Sequence, residues 1–297
     1  YLNYTACNAN PQNLGMDDRT TEAALSLTKF GVGQPVRRSE DPTLVRGEGR
    51  YTDDIDLPGQ AHAVMVRSTV AHGVVRSVDI ETAKTMPGVL AVLTAADLTG
   101  YGGLKCLLPL KSRDGSPIRY TPRPALSGDK VRYVGDPVAC VVADTIAQAK
   151  DAAEAVVLDI EPLPAVLSAR DAVEPGAPQL WDDVPGNVAL DYHLRRGDAD
   201  KAFAAASRVF EHTFKTQQCL HLPFEPHVAI AEPGDNRLTI YTSNQTPSFV
   251  RIEIARLFGW PENHVRVKVP YLGGGYGSKV YVKLEALVCA LAMRVRR

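Results

Sequence analysis

Short runs in which apolar residues alternate with polar or small ones, cut off by glycine or proline, constrain the fold of this chain more than any other feature. "AHAVMVRST" (61–69) and "VVRSVDI" (74–80) alternate apolar with polar or small residues, as half-buried strands do. "ETAKTMPGVLAVLT" predicts a short helix closed by Pro87-Gly88 and then a β-rich run. "VRYVGDPVACVVAD" predicts two strand pieces around a Gly135-Asp136-Pro137 turn. Asp144 is placed to cap "TIAQAKDAAEAVV", where Ile146, Ala149, Ala153 and Val156 recur at helical spacing, and "VVLDIEPLP" follows as a strand. This first module ends in "EPLPAVLSARDAVEPGAPQLWDDVPGN", which reads as a connector wrapping the surface.

Beyond it, "ADKAFAAASRVFEHTFKT" predicts a helix running into a strand, and "HVAIAEPGDNRLTIYTS" two strands joined by a Pro-Gly-Asp-Asn turn. "TPSFVRIEIARLFG" predicts a helix with Thr246 at its cap and Pro247 in its first turn, and "HVRVKV" an alternating strand. The fold class is α+β. At 297 residues, 45% of them hydrophobic, the chain is large enough for two cores. The expected division is a flexible extension at 1–30, a first domain at 31–175 and a second at 176–297.

Charge and cysteine usage narrow the function classes. The 33 basic and 34 acidic residues leave a formal charge of -1, which gives no electrostatic reason to expect nucleic acid or an anionic membrane as partner. No apolar run is long enough to span a bilayer, no signal-type pattern opens the chain, and a cytoplasmic protein is expected. Cys7, Cys106, Cys140, Cys219 and Cys289 are odd in number and widely spaced, with no CxxC pair, and read as reduced, mostly packed thiols. No residue is assigned as a metal ligand. The chain opens at Tyr1 and stops inside "LVCALAMRVRR", a helical pattern without a terminating Gly or Pro, so both ends read as cut.

"YLGGGYGSKVYVKLEALV" (271–288) sets four glycines in five positions between a predicted strand and a predicted helix. It is neither of the familiar phosphate cradles. A dinucleotide fingerprint started at Gly273 needs Gly or Ala where Ser278 stands, and one started at Gly275 meets Val280; a P-loop needs Gly-Lys-Ser/Thr, whereas Ser278 separates Gly277 from Lys279. The cluster is either a tight turn packed on neighbouring backbone or a loop offering N–H groups to a ligand, with the start of the following helix adding its partial positive charge. Three consecutive glycines favour the ligand-facing reading. Gln245 in "SNQTP" follows a predicted strand, where an amide can point into a cleft. In "CLHLPFEPH", Pro223 and Pro226 break any helix that would set His221 and Glu225 on one face as a zinc motif does, so local packing and hydrogen bonding is the expected role of the two.

Taken in order, "RGEGRYTDDIDLPGQAHAVMVRSTVAHGVVRSVDI", "MPGVLAVLTAADL", "VRYVGDPVACVVADTIAQAKDAAEAVVLDIEPLPAV", "HLPFEPHVAIAE", "SNQTP" and "LGGGYGSK" resemble the large subunit of the xanthine dehydrogenase/aldehyde oxidase family of molybdenum hydroxylases over residues 32–297. The resemblance implies an α/β hammerhead domain followed by the beginning of a molybdopterin-binding domain. It implies a molybdenum–molybdopterin cofactor, in a dinucleotide form, beside Gly273, Gly274, Gly275, Tyr276 and Gly277, with Gln245 donating its amide to an oxo ligand of the metal as the catalytic contact. His221 and Glu225 take supporting positions behind these. The implied reaction is oxidative hydroxylation of an aldehyde or N-heterocycle, with water as the oxygen source. Electrons would pass to a 2Fe-2S small subunit and an FAD-binding medium subunit. Purine-oxidising relatives have a glutamate where Val280 follows Lys279, which argues against xanthine as substrate. The general-base glutamate and most contacts to the cofactor's tail are expected in the remainder of the large subunit, so the 297 residues alone are expected to be inactive. The apolar stripe Leu284, Leu287, Val288 and Leu291 is expected to be partly exposed, with the hammerhead domain folding independently. The alternative class is a non-catalytic assembly or interaction module derived from the same family.

Overall fold

The computed structural model describes residues 38–99, 104, 109–121 and 123–297. The expected flexible extension at 1–30 lies outside them, as do Cys7 and Cys106. Residues 1–49 and 50–297 form separate units. The described part of the first has one helical turn, Asp41–Leu44, with proline at its start.

The second unit begins with β1 (His62–Arg67), β2 (Gly73–Asp79), α1 (Glu81–Lys84) and β3 (Val89–Thr94). It continues with β4 (Lys130–Val131), β5 (Pro137–Ala143), α2 (Ile146–Glu154) and β6 (Val157–Pro162). After the connector come α3 (Ala199–Ala205), β7 (Ala229–Pro233), β8 (Leu238–Thr242), α4 (Pro247–Phe258), β9 (Val265–Lys268) and α5 (Glu285–Val295). Three three-stranded sheets result, ordered β1-β5-β3, β4-β2-β6 and β7-β8-β9.

Strand β5 shows why "PVACVVA" is apolar throughout rather than alternating. It pairs antiparallel with β1 and β3 at the centre of its sheet, and both faces are covered. Ala139 and Val141 face one core with Ala83 of α1 and Ala152 of α2. Cys140 and Val142 face another with Leu93, Leu98, Leu126 and, from the far end of the chain, Leu287, Ala290 and Leu291 of α5. The expectation of a partly exposed stripe is therefore corrected for Leu287 and Leu291, each 3% exposed, while Leu284 and Val288 are only half-buried. Burial of such a side chain stabilises by about 1.5–3 kcal/mol, which explains why the helix seats on the sheet. In the whole chain one face of the hammerhead sheet is covered by α5. Helix α2 is capped by Thr145, whose side chain accepts from the Gln148 N–H, rather than by Asp144. Asp144 instead takes the Arg297 guanidinium at 2.7 Å.

The connector wraps the surface as expected. Arg132 stacks 3.7 Å from the Trp181 ring centre and donates to the Leu180 carbonyl, while Asn187 bonds the main chain of Ala172, Pro178 and Leu180. The predicted strand after α3 does not form. Among the described residues, no hydrogen bond between main-chain groups is made from Ser207 to Phe224, and the apolar members of the run find no sheet to join.

In the third sheet, β7 and β8 form the expected hairpin, closed by Gly234 N–H donating to the Arg237 carbonyl at 2.8 Å. Strand β8 alternates Leu238, Ile240 and Thr242 inward, and β9 lies parallel to it after the α4 crossover. Helix α4 starts at Pro247 and ends at Gly259, whose φ of 65° supplies the left-handed residue such an ending requires. Because β8 and β9 are parallel neighbours, their carboxyl ends lie together, and that end of a parallel pair is where open sheets offer a crevice.

Candidate functional site

The chain leaves β8 through Ser243–Thr246 and leaves β9 through residues 269–284, so topology alone brings Gln245 to the glycine cluster. The helix expected to follow the glycines at once starts only at Glu285, so its N-terminal N–H groups do not serve the loop. The loop's donors are its own.

Side chains are excluded from the loop by contact. A Cβ on Gly273 would lie 2.4 Å from Glu225 Cβ, and one on Gly275 would lie 2.4 Å from Gln245 Oε1. Gly274 and Gly277 take φ of 93° and 90°, a region that only glycine enters without strain. Tyr276 also has positive φ, at 50°, and its side chain is exposed.

Gln245 is held at two points. Its main-chain N–H donates to the Lys279 carbonyl at 2.8 Å, and its Oε1 accepts from the Gly277 N–H at 3.1 Å. With the oxygen engaged, the Nε2 end is left to donate, and it does so to no described residue. The N–H groups of Gly274, Gly275 and Tyr276 likewise have no acceptor among the described residues. The loop thus carries three main-chain N–H groups beside the Gln245 amide that no described residue engages.

Behind Gln245, buried polar groups fix the turn. Asn244 Oδ1 accepts from the Thr246 N–H at 2.8 Å, and its Nδ2 donates to Glu285 Oε1 at 3.0 Å. The same Glu285 oxygen accepts from the Thr242 hydroxyl at 2.8 Å, and the other from the Lys283 N–H. Buried groups are retained in such number only when each is bonded. On the other flank Glu225, 8% exposed, accepts from the Gly273 N–H at 2.9 Å and the Thr52 N–H at 3.4 Å, and pairs with Lys279 at 2.9 Å. Asn244, Glu285, Lys279 and Thr52 were not singled out by the sequence; of these only Asn-x-Thr before a proline carries a local signal, that of a side chain closing a turn onto its own backbone.

The structure therefore gathers Gln245, Glu225 and Gly273 to Gly277, and leaves His221 out. His221 is exposed and bonds no described residue. His227, within electrostatic reach of Glu225, Lys279 and Glu285, has its Nε2 3.4 Å from Lys283 Nζ. Burial first, and the Lys283 cation second, hold its pKa below the usual imidazole range. Lys283 is held low by burial and by the Arg123 cation. Among the described residues, no group of three or more His, Cys, Asp or Glu side chains is placed to hold a metal ion, and no helix is long and apolar enough to cross a membrane.

Comparison with known proteins decides the family. Residues 46–164 match the aldehyde oxidase and xanthine dehydrogenase a/b hammerhead domain, and residues 180–297 match a molybdopterin cofactor-binding domain. The chain belongs to the xanthine dehydrogenase/aldehyde oxidase family. Within it, the chain is 34% identical over 271 residues to the nicotine 6-hydroxylase large subunit of Paenarthrobacter nicotinovorans, covering 90% of this chain and 32% of that one. It is 34% identical over 290 residues to the carbon monoxide dehydrogenase large chain of Hydrogenophaga pseudoflava, covering 92% and 34%. The crystal structure of quinoline 2-oxidoreductase from Pseudomonas putida 86 superposes with a TM-score of 0.81 at 33% identity, covering 91% of this chain and 34% of that one. The chain spans about a third of the length of these family members. Their likeness extends the family assignment to the fold: an α/β hammerhead domain followed by molybdopterin-binding sequence.

Proposed function

We propose that this chain supplies the hammerhead domain, to about residue 175, and the first part of the molybdopterin-binding domain of a molybdenum hydroxylase large subunit. The observation that carries the reading is the donor-bearing face formed by Gln245 Nε2 and the N–H groups of Gly274, Gly275 and Tyr276, which no described residue engages. Such a face fits a group whose periphery is made of anionic oxygen and sulfur acceptors. Bound there, molybdenum–molybdopterin, in a dinucleotide form, would supply two-electron redox chemistry with water as the oxygen source.

The chain's own residues act as fixed dipoles. Gln245 is oriented before any ligand arrives, because its oxygen is already engaged by Gly277, and preorganised donors cost no reorganisation during reaction. Glu225 holds the loop's entry from behind. We assign His221 to no more than a supporting place at the loop, one it would reach only with the remainder of the subunit in position. The general base, on this reading, is a glutamate from that remainder, and 2Fe-2S and FAD partner subunits take the electrons. An N-heterocycle or an aldehyde is the proposed substrate, the nicotine and quinoline relatives lending support to the first and the aldehyde oxidoreductases to the second. Val280, half-buried, offers no acceptor to a purine ring N–H, and a site lacking the matching polar group discriminates strongly. The packed, reduced Cys140 and Cys289 suit an assembly in the cytoplasm.

The test uses the full-length protein with its partners, produced in a host that makes the cofactor. Molybdenum and molybdopterin are expected at stoichiometric levels, with label from ¹⁸O-water in the product of a pyridine- or quinoline-type substrate. Gln245→Ala is expected to lower turnover by about 10²–10³ while leaving metal content and melting temperature near wild type. Absence of molybdenum from the full-length protein, or wild-type turnover in the Gln245→Ala variant, would refute the assignment.

A further inference from the structure

We infer that Lys279 and Glu225 form a positioning pair that closes the base of the glycine loop, and that Lys279 is not a ligand-binding cation. The inference rests on the molybdopterin reading of the loop but concerns a residue that reading does not use. In "GYGSK" a lysine two residues past the last glycine looks placed to reach an anionic ligand. The structure turns it the other way. Lys279 is 0% exposed, and its ammonium lies 2.9 Å from Glu225 Oε2.

That oxygen also accepts the Gly273 N–H at 2.9 Å, and the Glu225 N–H donates to the Gly273 carbonyl at 3.2 Å. One carboxylate thus holds the loop's first residue and, through the lysine side chain, its last. The Lys279 carbonyl meanwhile accepts the Gln245 N–H at 2.8 Å. Lys279 is the crossing point of both clamps, its side chain fixing the ends of the loop and its main chain fixing Gln245. Glu225 Oε1 reaches the Thr52 N–H at 3.4 Å, which ties in the turn ahead of the hammerhead sheets. What lies between the clamped ends, Gly274 to Tyr276, is the stretch whose N–H groups remain free to donate.

Burying two charges is a poor way to gain stability, since neutral replacements of similar volume often stabilise as well or better. A buried pair that joins both ends of a donor-bearing loop is better explained by geometry. Its replacement by neutral residues is expected to leave the fold and release the loop.

The experiment compares wild type with the neutral double variant Glu225→Gln/Lys279→Met and the single variant Lys279→Met, all in the full-length protein. The single variant, which leaves an unpaired buried carboxylate, serves to show the pair is present: it is expected to melt lower than the double variant. The readout is amide hydrogen exchange of the peptide spanning residues 271–280, alongside molybdenum and molybdopterin content. In the double variant, with melting temperature near wild type, exchange at Gly273 to Gly277 is expected to rise by about tenfold or more and cofactor content to fall severalfold. Unchanged exchange and unchanged cofactor content would overturn the inference, as would a loss of cofactor with the loop's exchange unaltered, because that is the signature of a lysine that binds the ligand itself. Absence of cofactor from wild type would count against the proposed function alone, and the exchange of the 271–280 peptide would still decide the role of the pair.

Discussion

Two irregular stretches of similar length, 207–224 and 269–284, differ in everything except their lack of regular secondary structure. Val209, Phe210, Phe214, Leu220, Leu222 and Phe224 in the first are all more than half exposed, and among the described residues its main chain makes no hydrogen bond to another main-chain group. The second holds a fully buried lysine, receives three side chains from other segments, and bonds its main chain to Glu225, Gln245 and Thr246. The difference lies in where partners come from. The glycine loop finds buried polar groups on neighbouring segments, whereas the first stretch carries a strand's apolar alternation with no strand beside it. Order in a loop follows from satisfied main-chain groups and not from loop length.

The largest effect expected from this contrast is proteolytic. Limited digestion of the 297-residue chain should cut within 207–224 at least about a hundredfold faster than within 269–284, since cleavage follows local opening. Mass spectrometry of early fragments checks it, and first cuts inside the glycine loop would break the comparison. Thiol labelling probes the same contrast. Cys219, exposed in the first stretch, should react in the native protein, while Cys140, whose pKa burial pushes up to about 12, and Cys289, pushed up by burial and the Glu285 carboxylate, should react only on denaturation.

Two glycine substitutions sharpen the reading of the second stretch. In Gly273→Ala the new Cβ meets the rigid Cβ of Glu225, so the loop itself must shift, at a cost of about 1–3 kcal/mol in denaturant unfolding. In Gly275→Ala it meets the Gln245 side chain from Cγ outward, which can turn aside where a backbone-bound Cβ cannot. That variant should keep its stability to within about 1 kcal/mol and, in the full-length enzyme, lose turnover as Gln245→Ala does. Equal stability loss in both would mean that the two contacts are equally stiff. The smallest effect concerns His227. Its folded pKa is depressed, so the unfolded chain binds the proton more readily, and stability should decline as pH falls through and below the ordinary imidazole value of 6.5. His227→Gln should flatten that slope in melting curves between pH 7 and pH 5.

Much of the fold was legible because its signals are local. Alternation marked the strands, the Pro-Gly-Asp-Asn turn marked the hairpin, and Thr246-Pro247 marked the start of α4. Gln245 and the glycine loop were placed together by family resemblance, and the parallel pairing of β8 with β9 supplies the physical reason. What was missed is long-range. Nothing near Lys279 announces Glu225, 54 residues earlier in the chain, and the glycines around it suggest a ligand-facing cation instead. The strand expected after α3 failed for the converse reason: its pattern is right, but a strand exists only by pairing. The site of α2 capping differed by one residue because Thr145 and Asp144 are both good caps and only the chain's path chooses between them.

The seating of α5 on the β5 face has a consequence for synthesis. Leu287, Ala290 and Leu291 cover Cys140 and Val142, yet they are translated about 150 residues later. A nascent chain that had reached only the connector would carry a finished sheet with one apolar side still wet, and would hold it so until the last turn of α5 cleared the ribosome. The hammerhead sheet of this chain is made early and completed late, and a chaperone that shields apolar surface would find its target there for that interval.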